Sequence, residues 1–170
     1  MRDRLYVHLV WTTRNREATI DLGVARFLER FLAAVARQER AGVHALGMVQ
    51  THVHLLLQLH PTTSIPRLLQ RLKGGSSVLA NREGHATQRP LRWAKGYSIA
   101  SVSPRALEAV RAYVLSQPSH HPSEVIPGWQ AAAVAPCIVG PLAAPFAAES
   151  RDSAERSREA TPQVVTLSDR

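Results

Sequence analysis

Two histidines one residue apart, His52 and His54, sit in the run Thr51-His52-Val53-His54-Leu55-Leu56-Leu57-Gln58-Leu59. Alternate residues of a β-strand face the same way, so on a strand the two imidazoles stand side by side. The interleaved Val53, Leu55, Leu57 and Leu59 are all apolar and must face a core. His52, His54 and Gln58 are left on the opposite face, which reads as a metal site on a rigid strand. Two histidines are too few to hold a catalytic ion, so a third ligand and a nucleophile must come from elsewhere. Tyr113 and Gln117, four residues apart, stand one above the other on a helix. A glutamine carbonyl can complete a hard-metal site, and a tyrosine one turn away can attack a phosphorus held there. Such oxygen and imidazole ligands suit Mg²⁺ or Mn²⁺. Each piece alone also has a plain reading: surface histidines in one case, a packing tyrosine in the other.

The elements that must position these groups are readable from periodicity. Leu5 to Thr13 is rich in β-branched and aromatic residues and predicts a first strand. Asp21 opens a helix with Val24, Phe27, Leu28, Phe31, Leu32 and Val35 on one stripe, closed by Gly42. Val43 to Gln50 predicts a second strand, forming a hairpin with the histidine strand. Ser64 caps a second helix with Ile65, Leu68, Leu69 and Leu72 inward, weakened at Gly74-Gly75. Tyr97 to Val102 is a short fourth strand. Ser103-Pro104 starts a third helix that Pro118 ends, carrying Leu107, Val110 and Val114 on one stripe. The first six elements, β-α-β-β-α-β, predict an α+β ferredoxin-like, RRM-like sandwich. Its antiparallel sheet has helices on one face, with the histidines looking out from the open one. A tyrosine-bearing helix is added after it. The expected division is a domain over 1–124 and an Ala/Pro-rich, then charged, poorly ordered tail over 125–170.

Composition narrows the setting. The net charge is +8, and residues 1–145 hold 17 Lys and Arg against 8 Asp and Glu. Nearly all those cations are Arg, which suits bidentate phosphate contacts and base stacking. Arg67, Arg71, Lys73, Arg89, Arg92 and Lys95 are candidates for a DNA track. Trp93 and Tyr97 either pack in the core or stack on unpaired bases. His8, His44 and His60 read as structural or incidental, and His120-His121 as a DNA or interface contact or a polar helix end. The single Cys137 excludes an internal disulfide framework and a cysteine zinc site, and fits a reducing, cytoplasmic setting. No apolar run approaches the ~20 residues of a membrane helix, and the N-terminus does not read as a signal peptide.

The His-x-His pair, the later Tyr113-x-x-x-Gln117 and the segment Trp93-Ala-Lys-Gly-Tyr97 occur in this order. With them come His8-Leu-Val-Trp-Thr-Thr13, Leu72-Lys-Gly-Gly-Ser-Ser77 and Ser119-His-His121. Together they resemble the HUH-type single-tyrosine transposases of minimal bacterial insertion sequences, the TnpA type, related to REP-associated tyrosine transposases. The resemblance spans roughly residues 5 to 122. It implies that His52, His54 and Gln117 bind a divalent ion and that Tyr113 is the nucleophile. It also implies single-stranded DNA hairpins as substrate, a 5′-phosphotyrosine intermediate and a homodimer. In such a dimer the tyrosine helix of one subunit can complete its partner's site. Gln50-Thr51 departs from the Pro-Asn or Pro-Asp usual before the first histidine, and the long tail is a second departure. Both leave room for a domesticated or inactive copy that binds single-stranded DNA hairpins without cutting.

Three further readings fit less well. Replication initiators often pair their tyrosine with a lysine a turn away, and relaxases place the tyrosine before the histidines. A noncatalytic single-strand-binding module would display aromatics on the central strands. A His-x-His-x-Asp-His metallohydrolase fails because Leu56 and Leu57 fill the Asp and His positions.

Overall fold

The computed structural model describes residues 5–131; the expected tail from 132 onward lies outside them. Strand β1 (Leu5–Thr12) leads to helix α1 (Leu22–Gln38), opened by Asp21, whose carboxylate accepts from the Val24 N–H at 2.9 Å. Val24, Phe27, Leu28, Leu32 and Val35 form its buried stripe. Each such side chain contributes about 1.5–3 kcal/mol of burial. The helix ends earlier than Gly42: Glu39 is the cap and Arg40 takes the left-handed conformation, φ 59°. Gly42 already belongs to β2 (Ala41–Val49), which turns at Gln50-Thr51 into β3 (His52–Leu59).

The 65–82 segment is one helical run containing a π-helical turn. It comprises α2 (Ile65–Leu69), the wide turn Gln70–Gly75 and α3 (Ser76–Arg82). The helix runs on through both glycines rather than breaking there. A Cβ at Gly75 would lie 3.0 Å from the Phe31 ring, so the missing side chain lets α1 pack close. Strand β4 (Ser98–Val102) completes an antiparallel sheet of order β2-β3-β1-β4, the ferredoxin-like arrangement. The main core lies between sheet and helices, with Leu9, Trp11, Val53, Leu55 and Leu57 facing Leu28, Leu32, Leu68 and Leu72.

The other face is not open. Helix α4 (Leu107–Leu115) lies across it, and Val114 packs with Tyr6, Ala45, Leu56 and Val102 in a second, smaller core. Gly47 permits this approach, because a Cβ there would stand 1.9 Å from the Val114 carbonyl oxygen. After Ser116 a short helix α5 (Gln117–His120) follows, so Pro118 begins a new turn instead of ending the run.

The chain also stays packed past the expected boundary at 124: Ile126 and Trp129 are buried in the main core. Alanine and proline content hid those two anchors. Among the described residues no helix is long and apolar enough to cross a membrane.

Candidate active site

Pairing of β1 with β3 sets Thr12 against His52 and Val10 against His54, on the face that α4 covers. The two histidines are therefore buried, 4% and 6% exposed, instead of facing solvent. Gln58, on the same strand face, lies away from them and meets His44, Nε2 to Oε1 3.3 Å. Helices α4 and α5 bring Tyr113 and Gln117 to the pair. The Tyr113 ring centre lies 5.7 Å from His54 and 6.1 Å from His8. Tyr113 is 43% exposed, open for a substrate to reach.

Gln117 is fully buried. Its Nε2 donates to the Tyr113 carbonyl at 3.0 Å, which leaves Oε1 without a hydrogen-bond partner. An orphaned buried acceptor is costly, and such groups call for an explanation.

Each histidine uses one ring nitrogen within the protein. His54 Nδ1 lies 3.0 Å from His8 Nε2, and the rings stack at 5.1 Å. His52 Nδ1 lies 2.9 Å from Thr51 Oγ1 and 3.5 Å from Glu124 Oε2. Both keep Nε2 free. Burial first, then the neighbouring His8, His52, His121 and His120, push His54 down to about 3. Burial and His121 likewise hold His52 below its ordinary value, against the opposing pull of Glu124. Both rings are thus neutral near pH 7, the state that ligates metal.

Among the described residues no three His, Cys, Asp or Glu side chains could hold an ion by themselves. Two free imidazole nitrogens and the orphaned Gln117 oxygen nevertheless form a donor set that fits a divalent cation.

Several neighbours were not legible as parts of this site. His8, expected to be structural or incidental, comes one diagonal step from His54 through the β1–β3 register. His121 packs edge-on to His52 at 4.7 Å, and His120 lies 5.0 Å from Tyr113 while its Nε2 meets Ser116 Oγ at 3.1 Å. Glu124 arrives from the turn Pro122–Glu124. The doublet His120-His121 and the segment opening at His8 carried local signals, but neither showed that these side chains meet the site.

The basic candidates separate. Arg67 and Arg71 pair with Glu39, and Arg71 also donates to Gln38 Oε1 at 2.5 Å. The Lys73 ammonium donates to the Ala94, Lys95 and Gly96 carbonyls and holds that loop. Trp93 is half-buried, its N–H on Ser76 Oγ at 3.0 Å and its ring edge-on to Trp11. Arg92, Lys95 and Tyr97 are exposed. Arg92 also lines a surface groove with Arg14 and Arg89.

Residues 1–117 match the family described as Transposase IS200 like. The chain belongs to the IS200-like transposase family. It is 29% identical over 122 residues to the ISDra2 transposase TnpA of Deinococcus radiodurans, covering 67% of this chain and 84% of that one. A crystal structure of a Deinococcus radiodurans R1 protein assigned as a transposase shares 27% identity at TM-score 0.56, covering 69% of this chain and 93% of that one. A REP-associated tyrosine transposase solved bound to a REP hairpin shares the fold, with 13% identity and TM-score 0.56. That likeness covers 71% of this chain and 72% of the other.

Proposed function

We propose that this IS200-like transposase cuts and rejoins single-stranded DNA at hairpin-marked ends, using Tyr113 as nucleophile. The observation that carries the reading is the delivery of Tyr113 and the orphaned Gln117 oxygen onto the His52–His54 pair. A hairpin substrate is supported by the fold shared with a REP-hairpin-bound protein.

The phenol oxygen attacks the scissile phosphorus, and the bond from phosphorus to the 3′ oxygen breaks. The products are a 5′-phosphotyrosine and a free 3′-OH; the phenol proton leaves as the 3′ oxygen gains one. Reversal by a 3′-OH rejoins strands with no external energy, because the phosphotyrosine conserves the phosphodiester. Mg²⁺ or Mn²⁺, held by His52, His54 and Gln117, would polarise the phosphoryl oxygens. His8 orients the His54 ring, and the packing of α4 sets where the phenol stands. Arg92 and Lys95 are placed to meet phosphates, and Tyr97 to stack on a base. Lys73 holds the loop that carries Lys95, and Trp93 anchors its start on Ser76, while Arg67 and Arg71 are engaged by Glu39. A homodimer is part of the same reading.

The test is a denaturing-gel assay for covalent adduct on labelled single strands spanning the flanks of the coding gene. It is run with Mn²⁺, with EDTA and with Tyr113→Phe. Adduct on one strand only, lost in both controls while hairpin binding persists, is the expected result. Hairpin binding without any adduct would replace the enzyme by a DNA-holding descendant. Adduct in the Tyr113→Phe protein would move the nucleophile elsewhere.

A further inference from the structure

Glu124 lies beyond the residues matched by the family, yet its carboxylate reaches the first histidine of the site. Thr51 Oγ1 hydrogen-bonds Glu124 Oε2 and also lies 2.9 Å from His52 Nδ1. An ionised carboxylate only accepts hydrogen bonds. The threonine proton must therefore point to Glu124, and the threonine oxygen is left to accept from His52. That assignment puts the imidazole proton on Nδ1 and the lone pair on Nε2.

We infer that Glu124 is a positioning residue that acts through Thr51 to fix the tautomer and ring orientation of His52. The carboxylate is itself held from several directions. Its main-chain oxygen accepts from the Gln50 N–H at 2.8 Å, and its own N–H donates to the His121 carbonyl at 3.0 Å. Arg16, in the left-handed conformation at φ 54°, brings a guanidinium to 3.8 Å. Immediately downstream, Ile126 and Trp129 are buried in the core on the helix side of the sheet. The chain thus straps around the β2–β3 turn, anchored on both faces, with Glu124 at the point of crossing. A carboxylate behind a ligating histidine is the usual means of holding its ring, and its removal weakens metal binding about 10–100-fold.

The tautomer stands independently of the proposed function; the consequence for metal affinity rests on it. The test uses the full chain labelled with ¹⁵N-histidine. Long-range ¹H–¹⁵N correlation on the metal-free protein near pH 7.5 reads which ring nitrogen of His52 carries the proton. Mn²⁺ titration followed by electron paramagnetic resonance reads affinity. Wild type should show a single Nδ1–H form. Glu124→Ala should mix the tautomers and weaken Mn²⁺ about 10–100-fold. Glu124→Gln, which keeps an acceptor oxygen, should recover part of both and serves if the alanine variant does not fold. An Nε2–H form in wild type would overturn the inference. So would an unchanged tautomer and affinity in a folded variant. Glu124-dependent tautomerism in a wild type that binds no Mn²⁺ would support the inference and remove the metal from the proposed function.

Discussion

A buried acceptor without a partner costs about 1–3 kcal/mol, and Gln117 Oε1 is one such group. Gln117→Leu removes that cost at similar volume, while the Tyr113 carbonyl keeps its bond from Ser116 Oγ at 3.1 Å. The expected outcome is a metal-free Tm equal to or above wild type, with adduct formation reduced by about 100-fold or more. Thermal melts in EDTA beside the gel assay check this; a variant that melts early and loses adduct only in proportion would make Gln117 a packing residue. At this scale the sequence was readable wherever spacing is local. Alternation put His52 and His54 on one face, and a four-residue step put Tyr113 next to Gln117. His8 and Glu124 were not readable, because strand register and a chain crossing bring them there, and neither leaves a fixed interval in the sequence.

Between elements, two contacts decide how the helices sit. Gly47 lets α4 lie against β2, and Gly47→Ala would drive a methyl into the Val114 carbonyl. Backbone cannot yield as a flexible side chain does, so α4 must shift. The expected result is loss of adduct of at least about tenfold with the main core intact, read as a small change in Tm and unaltered hairpin binding. On the opposite face, Glu39 at the end of α1 ties down the 65–82 helix through Arg67 and Arg71. Burial raises the Glu39 carboxyl, but the Arg71 hydrogen bond and the two guanidinium charges outweigh it, and the net shift is downward from 4.5. A depressed folded-state value means this contribution is present above the unfolded value and fades as pH falls through the folded one. Wild type should therefore exceed Glu39→Gln in urea midpoint at pH 7, with the gap closing as pH drops below about 4.5. A constant gap would locate the effect in packing. Element order was legible from periodicity. The wide turn at Gln70–Gly75 and the left-handed Arg40 were not, since each answers to packing between segments.

For the molecule as a whole, one chain carries every proposed reactive group on one site, with the tyrosine helix folded onto its own histidines. Mixing Tyr113→Phe with His54→Ala protein should then restore no adduct. Recovery would show that the helix is exchanged between subunits. The strap beyond Glu124 belongs to the same body, and Trp129→Ala should cost about 3–5 kcal/mol by denaturant unfolding. A cost near zero would make the strap peripheral. The boundary expected at 124 fell short because composition reports an average, while two buried side chains suffice to anchor a segment. The contact at Gly47 carries a consequence for descent. A copy of this gene could fall silent through one added methyl while every histidine, the tyrosine and the glutamine stayed in place. On the proposed function such a copy would still hold hairpins, and its motifs alone would declare it mobile.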